Sequence, residues 1–201
     1  MPPTLETLDP NPSLSTQSGQ RFHPLDPSPS EIDEGDLACG LASRARWSGQ
    51  TSRPWSVAEH SMEVSRRLED AGGFGLATAW GLLHDAAEAW LPDWPAPIRS
   101  HLFVRIPRGV DSLALVPYDD VETGILEAVA AHFGLAFDIP AEVWEVDLRV
   151  RATERRDLMP DLPADVWPPE TAEPYPEPLD VCSDPWNVPI DFQRRLAEVL
   201  G

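Results

Sequence analysis

Two histidines and two aspartates in this sequence are spaced so that they could bind one divalent metal ion together. His60 lies on the first long predicted helix, and Asp147 faces inward on the fourth. His84 and Asp85 are adjacent on the second, which is strongly apolar. Imidazole and carboxylate are good ligands for cations such as Mn, Fe, Co, Ni and Zn. Such a set leaves positions open for water and substrate, as a catalytic site requires.

Glu88 follows His84 by four residues and Asp85 by three. On a helix, this spacing directs Glu88 to the same side as the His-Asp pair. A carboxyl group there could act as a general base or acid beside a metal-activated water. The alternative is that these residues have only a structural role, because a buried His or Asp usually forms a hydrogen bond with a neighbouring group. The apolar neighbours of the pair favour a metal, since buried charge is costly without a partner.

Helical periodicity predicts the elements that position these side chains. Ser56 and Glu59 form a capping box at the start of the first long helix, which ends at the glycine pair after residue 71. Further helices are predicted by apolar spacing or by flanking prolines and glycines. They cover 31–45, 76–90, 120–133, 140–160 and 190–200, with a short one near 97–103.

The remaining segments are predicted to be irregular, and no strand alternation is seen. The predicted fold class is therefore all-α, a single helical bundle with the metal between helices. Residues 1–30 form an irregular N-terminal arm, 31–160 the core, and 161–201 a proline-rich extension with a short C-terminal helix.

The charge of the chain restricts its partners. The formal net charge is −19, with 34 acidic against 15 basic residues, and every basic residue is Arg. Repulsion argues against binding to nucleic acid or to an anionic membrane. Any phosphate site must use arginine, a helix N-terminus or a metal. Cys39 and Cys182 form no motif, and no signal peptide or membrane-length apolar run is seen, so a cytoplasmic location is expected.

An ordered set of motifs resembles the HD superfamily of phosphohydrolases, and within it the small nucleotidase branch. That branch includes YfbR-type deoxynucleoside 5′-monophosphatases and phage DatZ-type dATP triphosphohydrolases. The similar region runs from about 21 to 160. Its motifs are Ser43-Arg44-Ala45-Arg46-Trp47-Ser48-Gly49-Gln50-Thr51, Trp55-Ser56-Val57-Ala58-Glu59-His60-Ser61, Leu83-His84-Asp85-Ala86-Ala87-Glu88-Ala89-Trp90, Asp93-Trp94-Pro95-Ala96-Pro97-Ile98-Arg99, and Val146-Asp147-Leu148 followed by Glu154-Arg155-Arg156-Asp157-Leu158-Met159. Glu154 and Asp157 are predicted to pair with neighbouring arginines at helical spacing rather than to act on substrate. The resemblance implies that the 31–160 core is an HD-domain phosphohydrolase.

The resemblance also implies a role for each matching position. The metal ligands are His60, His84, Asp85 and Asp147. Glu88 lies near the attacking water, and Asp93 helps to set up the scissile phosphoester. Arg46, Trp47 and Arg99 bind substrate, with Arg46 and Arg99 against phosphate and Trp47 stacking on a base or sugar. Two of these positions have structural alternatives, since Asp93 could be a turn residue and Trp47 a core anchor.

The predicted function is metal-dependent hydrolysis of a deoxynucleotide. The first choice is a deoxynucleoside triphosphate, with dATP the leading candidate, because Arg99 and the Arg149/Arg151 cluster add cationic groups. The alternative is 5′-nucleotidase action on deoxynucleoside monophosphates. A non-enzymatic alternative is a nucleotide-binding sensor, and another is a structural helical protein that holds no metal. The expected cofactor is Mn, Co, Zn, Ni or Fe, with Mg accompanying substrate phosphates. A homo-oligomer is expected from resemblance.

Overall fold

The computed structural model describes residues 9, 11–107, 112–161, 163, 165, 171–181 and 184–201. Seven α-helices lie within these residues: α1 Glu34–Ser43, α2 Val57–Asp70, α3 Leu76–Leu83, α4 Ala96–Arg99, α5 Tyr118–Phe133, α6 Ala141–Leu158 and α7 Val188–Leu200. Four strands accompany them: β1 Leu14–Ser15, β2 Arg21–Phe22, β3 Phe103–Pro107 and β4 Leu113–Pro117. None of these helices is long and apolar enough to cross a membrane.

The prediction of an all-α fold is wrong, because the helices are accompanied by two small antiparallel sheets. β1 pairs with β2, and β3 pairs with β4 in a register that places Phe103 opposite Pro117. In β3 and β4, β-branched residues favour extended backbone. Most side chains on both faces of this hairpin are apolar and only partly buried. The alternation that reveals a half-buried strand is therefore absent from the sequence. The fold is mixed α and β.

The core is built around α2, which packs against α1, α3, α6 and α7. Its N-terminus has the predicted capping box: Ser56 Oγ accepts from the Glu59 backbone N–H, and the Glu59 carboxylate accepts from the Ser56 backbone N–H at 2.8 Å. Ten of its fourteen residues are buried, among them His60. A helix enclosed to this degree can hold an ionisable side chain in a fixed position away from solvent.

The predicted helix over 76–90 is interrupted at His84 and Asp85, two of the predicted metal ligands. α3 ends at Leu83, His84 is its C-cap, and Asp85 has a non-helical backbone that leads into a 3-10 turn over 86–89. The apolar pattern runs on because the turn is also buried, so periodicity alone does not reveal the break. Because of this break, α-helical spacing from His84 does not determine the positions of the Asp85 and Glu88 carboxyl groups.

The N-terminal arm contributes to the core within its described part. β1 and β2 form a short hairpin, and the fully buried Phe22 ring stacks on Trp90 at a centroid distance of 4.2 Å. This contact covers the turn that carries Glu88. Cys182 and much of the proline-rich segment after residue 160 lie outside the described residues.

Two helical glycines differ in the space around them, and their alanine variants should differ in stability. A Cβ on Gly40 would lie 2.5 Å from the Ala89 carbonyl oxygen, whereas one on Gly124 of α5 would meet nothing within 4 Å. We expect Gly40→Ala to destabilise the protein by about 1–3 kcal/mol through overpacking. Gly124→Ala should stabilise it by about 0.5–1 kcal/mol. Urea unfolding measures both, and equal effects would contradict the packing of α1 on the 86–89 turn.

Candidate metal centre

Three of the four predicted metal ligands, His60, His84 and Asp85, have donor atoms within 4.8 Å of one another, and Asp147 lies against the two histidines from α6. The Nε2 atom of His60 lies 3.4 Å from His84 Nε2, 3.7 Å from Asp85 Oδ2 and 3.1 Å from Asp147 Oδ1. His84 Nε2 lies 3.4 Å from Asp85 Oδ2 and 3.9 Å from Asp147 Oδ1. The structure therefore brings together side chains from three segments that are separated by up to 87 positions in the sequence numbering (60 to 147).

This donor set fits a divalent transition metal. Donor atoms about 2.1 Å from a common ion lie roughly 3.0–3.5 Å from one another. The distances from His60 Nε2 to His84, Asp85 and Asp147 are 3.4, 3.7 and 3.1 Å, at or slightly above this range. Both histidines are fully enclosed, and both carboxylates have only a fifth of their side chains exposed. Two imidazoles with two carboxylates suit Mn, Fe, Co, Ni or Zn.

Both histidines are oriented by a hydrogen bond on the far side of the ring. His60 Nδ1 lies 2.7 Å from the Glu154 carboxylate, and His84 Nδ1 lies 3.0 Å from the Gly81 carbonyl oxygen. Because these partners accept hydrogen bonds, each Nδ1 carries a proton and each Nε2 faces the centre. Partners of this type fix the tautomer and ring orientation of metal-binding histidines.

The charges around His60 are strongly coupled. Burial and the Arg46 charge oppose a proton on His60, yet Glu154 and Asp147 outweigh them and raise the pKa of His60 to about 10. Burial also opposes ionisation of Glu154, but Arg46 and His60 overcome it and lower the pKa of Glu154 to about 2. Without a metal, the centre therefore holds a proton where the cation would bind.

Glu88 and Asp93 lie beside the centre and form a second acidic pair. Burial, followed by the charges of Asp85 and Asp93, raises the pKa of Glu88 well above its ordinary value. Burial also raises the pKa of Asp93, while the Arg46 charge acts in the opposite direction. Glu88 Oε2 is buried and has no hydrogen-bond partner among the described residues. Such an orphaned oxygen is unusual and points to a missing ligand or to a functional proton.

Arg46 reaches into this acidic cluster from the 3-10 turn over 46–49. One terminal nitrogen lies 3.3 Å from Glu154, and the other lies 3.7 Å from Asp85 and 4.0 Å from Asp93. The latter distances are too long for hydrogen bonds. Arg46 Nε is likewise buried without a partner in the described structure. These N–H groups are positioned to donate to an anion.

Trp47 follows Arg46, and its indole N–H donates to Glu154 at 2.9 Å. Trp47 and Ser48 have φ values of 55° and 51°, in the left-handed region that residues other than glycine rarely adopt. Backbone strain of this type persists only where surrounding contacts enforce it. The indole contact to Glu154 is one contact that holds the turn, and with it Arg46, in place.

Arg99 is not joined to the cluster in the way that the resemblance implies. Its Nε donates to Asp119 at 2.7 Å, and its terminal nitrogen makes a close ion pair with Glu122. Burial raises the pKa of Glu122 to about 7, although Arg99 opposes this. The Arg99 guanidinium is therefore occupied by two carboxyl groups on α5, and its predicted contact with phosphate stays a prediction.

Glu154 is the site residue that sequence analysis missed. Its charge favoured pairing with arginines at helical spacing, but its partners are His60, Trp47, Trp55 and Arg46 from distant segments. One signal was present in the sequence. Glu154 follows Asp147 by seven residues, so two turns of α6 bring both carboxylates to the same face.

Two known proteins are similar to this chain. An uncharacterized protein of Rhodobacter capsulatus is 37% identical over 131 residues, which cover 63% of this chain and 60% of that protein. The match thus spans less than two thirds of the Rhodobacter protein. The uncharacterized protein YfdR of Escherichia coli is 30% identical over 145 residues, which cover 72% of this chain and 71% of YfdR. No family model matches the chain.

The proton on His60 makes metal binding dependent on pH. A cation can bind His60 Nε2 only after that proton leaves, so apparent affinity should fall as pH falls below about 10. Between pH 6 and 8 we expect Co²⁺ affinity to rise by up to about tenfold per pH unit, with about one proton released per ion. Calorimetry in buffers of different ionisation enthalpy measures both quantities. The His101→Ala variant is the control, and pH-independent affinity without proton release would contradict the raised pKa of His60.

Proposed function

The chain belongs to the same family as YfdR of Escherichia coli, and we propose that it is a metal-dependent phosphohydrolase of the HD type acting on deoxynucleoside 5′-monophosphates. One observation carries this proposal: His60 Nε2 lies 3.1–3.7 Å from donor atoms of His84, Asp85 and Asp147. Beside them lies Arg46, whose buried Nε has no hydrogen-bond partner among the described residues. This combination suits a ligand that carries both negative charge and a bond to be hydrolysed. The motif resemblance supports the HD assignment and the deoxynucleotide as substrate.

A divalent cation held by the two histidines and two aspartates would supply Lewis-acid chemistry, polarising a phosphoryl oxygen and lowering the pKa of water. The chain itself supplies the rest. Arg46 donates hydrogen bonds to the phosphoryl oxygens and offsets the negative charge that increases during attack. Its position against Glu154 is fixed before substrate arrives, so little reorganisation is needed.

Hydrolysis of a phosphate ester requires one proton to leave water and another to reach the leaving oxygen. Glu88 and Asp93 provide two carboxyl groups with different surroundings. Burial and neighbouring carboxylates raise the pKa of Glu88 well above its ordinary value, which suits the proton donor of the pair. Asp93 faces the Arg46 guanidinium, which favours its ionised form, so it is the proton acceptor. Two carboxyls whose surroundings separate their pKa values suit such a division of roles.

The number of phosphates on the proposed substrate depends on how many arginines are available at the centre. The first choice from sequence, a triphosphate, rested on Arg99 together with Arg149 and Arg151. In the structure, Arg99 is held by Asp119 and Glu122. Arg149 donates to the Glu173 carbonyl oxygen and lies over the Tyr175 ring. Arg46 lies at the centre, whereas Arg99 and Arg149 are engaged elsewhere, so one phosphate is better supported than three. A cytoplasmic location, as expected from the sequence, would give access to such substrates.

Product analysis tests this proposal. With Mn²⁺ or Co²⁺, we expect the protein to release inorganic phosphate from deoxynucleoside monophosphates. His84→Ala should abolish turnover, and Glu88→Gln should lower kcat on the order of a hundredfold or more because a proton donor is lost. His101→Ala, at an exposed position, should retain wild-type activity.

The products separate the alternatives. Release of intact triphosphate from a deoxynucleoside triphosphate would contradict the monophosphate assignment and restore the triphosphohydrolase. Metal-dependent nucleotide binding without turnover would instead support a sensor module. Activity that persists in His84→Ala would show that the hydrolysis does not belong to this centre.

A further inference from the structure

An exposed tryptophan lies directly beside the metal centre. Trp144 is on α6, three residues before Asp147, so both side chains project from the same face of the helix. Its ring contacts the His84 ring edge-on, with a centroid distance of 6.0 Å and an interplanar angle of 86°. Yet 44% of the Trp144 surface is open to solvent. Part of the indole thus contacts the centre, while a little under half of its surface is exposed to solvent.

Phe137 adds a second exposed aromatic ring to this surface, next to Trp80, which lies one turn of α3 before His84. It lies in the segment before α6, is as exposed as Trp144, and packs edge-on against the buried Trp80 at 5.9 Å. Trp80 and His84 are four residues apart, and the backbone of His84 remains helical. Their two exposed partners, Phe137 and Trp144, therefore lie along one side of α3. We call this pair the aromatic wall.

The chemistry of the aromatic wall contrasts with that of the rest of the centre. Three aspartates, Asp85, Asp93 and Asp147, make the surroundings of the phosphate position strongly anionic. A ligand group resting on Trp144 would meet an apolar, polarisable face instead. Exposed apolar side chains grouped at a site mark places where ligands bind. A flat, uncharged aromatic ring is the group that such a face accepts best, by stacking.

We propose that the aromatic wall, principally Trp144, is the surface on which the base of the nucleotide stacks while its phosphate lies against Arg46. This inference rests on the proposed function and adds a base-binding residue to it. Trp47, to which the resemblance gave that role, has its indole N–H engaged by Glu154. Since every base has an aromatic face, the wall would favour nucleotides over base-free sugar phosphates without selecting one base.

The kinetic test compares a nucleotide with its base-free counterpart. The measured quantity is the ratio of kcat/KM for dAMP to that for 2-deoxyribose 5-phosphate. Loss of a stacking partner typically lowers affinity for a base by about tenfold or more. We therefore expect Trp144→Ala to lower this ratio at least about tenfold, and Trp144→Phe to retain most of it. Trp186→Ala removes the large apolar side chain that is most exposed among the described residues, and this matched control should keep the wild-type ratio. An unchanged ratio in Trp144→Ala would overturn the proposal.

A binding experiment separates this proposal from the hydrolase itself. The eight tryptophans give eight indole N–H signals in a ¹⁵N-labelled sample, and Trp144→Phe identifies one of them. Deoxyadenosine carries no phosphate, so its binding can be measured without added metal and without hydrolysis. We expect it to shift the Trp144 signal and to leave the Trp186 signal in place. If the Trp144 signal shifts but the protein hydrolyses no nucleotide, base binding by the aromatic wall is supported and the proposed hydrolase activity is rejected. A Trp144 signal that does not move would overturn the wall, whatever the enzyme does.

Discussion

A single buried carboxylate, that of Glu154, determines the arrangement of the centre. An isolated carboxylate in the protein interior is very costly, so its surroundings must compensate for it. Glu154 is completely buried and accepts hydrogen bonds from His60, Trp55, Trp47 and Arg46. These donors come from α2 and from the segment that precedes it, while Glu154 belongs to α6. The contact therefore joins three parts of the chain and orients both the His60 ring and the Arg46 guanidinium.

The same arrangement explains how a strongly acidic protein could act on an anionic substrate. The formal charge of −19 repels anions at long range, but the field at a site depends on its nearest groups. The His60 proton and Arg46 offset several carboxylates, and burial raises the pKa of Glu88, which favours its uncharged form. A divalent cation in place of the His60 proton would make the centre more positive where the phosphate lies, and the aromatic wall would accept the uncharged base.

The positions of His60 and Asp147 could be predicted from the sequence because both residues lie on regular helices. The capping box at Ser56 fixed the start of α2, and periodicity positioned Asp147 on α6. The break after Leu83 could not be predicted, since a buried turn and a buried helix have the same apolar pattern. The β3–β4 hairpin was missed because neither of its faces is fully buried. Glu154 was missed because charge alone does not distinguish a solvated carboxylate from a buried one.

The central claim is that His60, His84, Asp85 and Asp147 bind one metal ion while Glu154 holds His60 in place. Anomalous diffraction at the cobalt edge, from crystals grown with Co²⁺, tests it most directly. The account predicts one strong peak about 2.0–2.2 Å from His60 Nε2, with His84 Nε2 and both aspartates as the other protein ligands, and with the His60–Glu154 hydrogen bond kept. A peak bound by other residues, or none at a Co²⁺ concentration that supports activity, would contradict it.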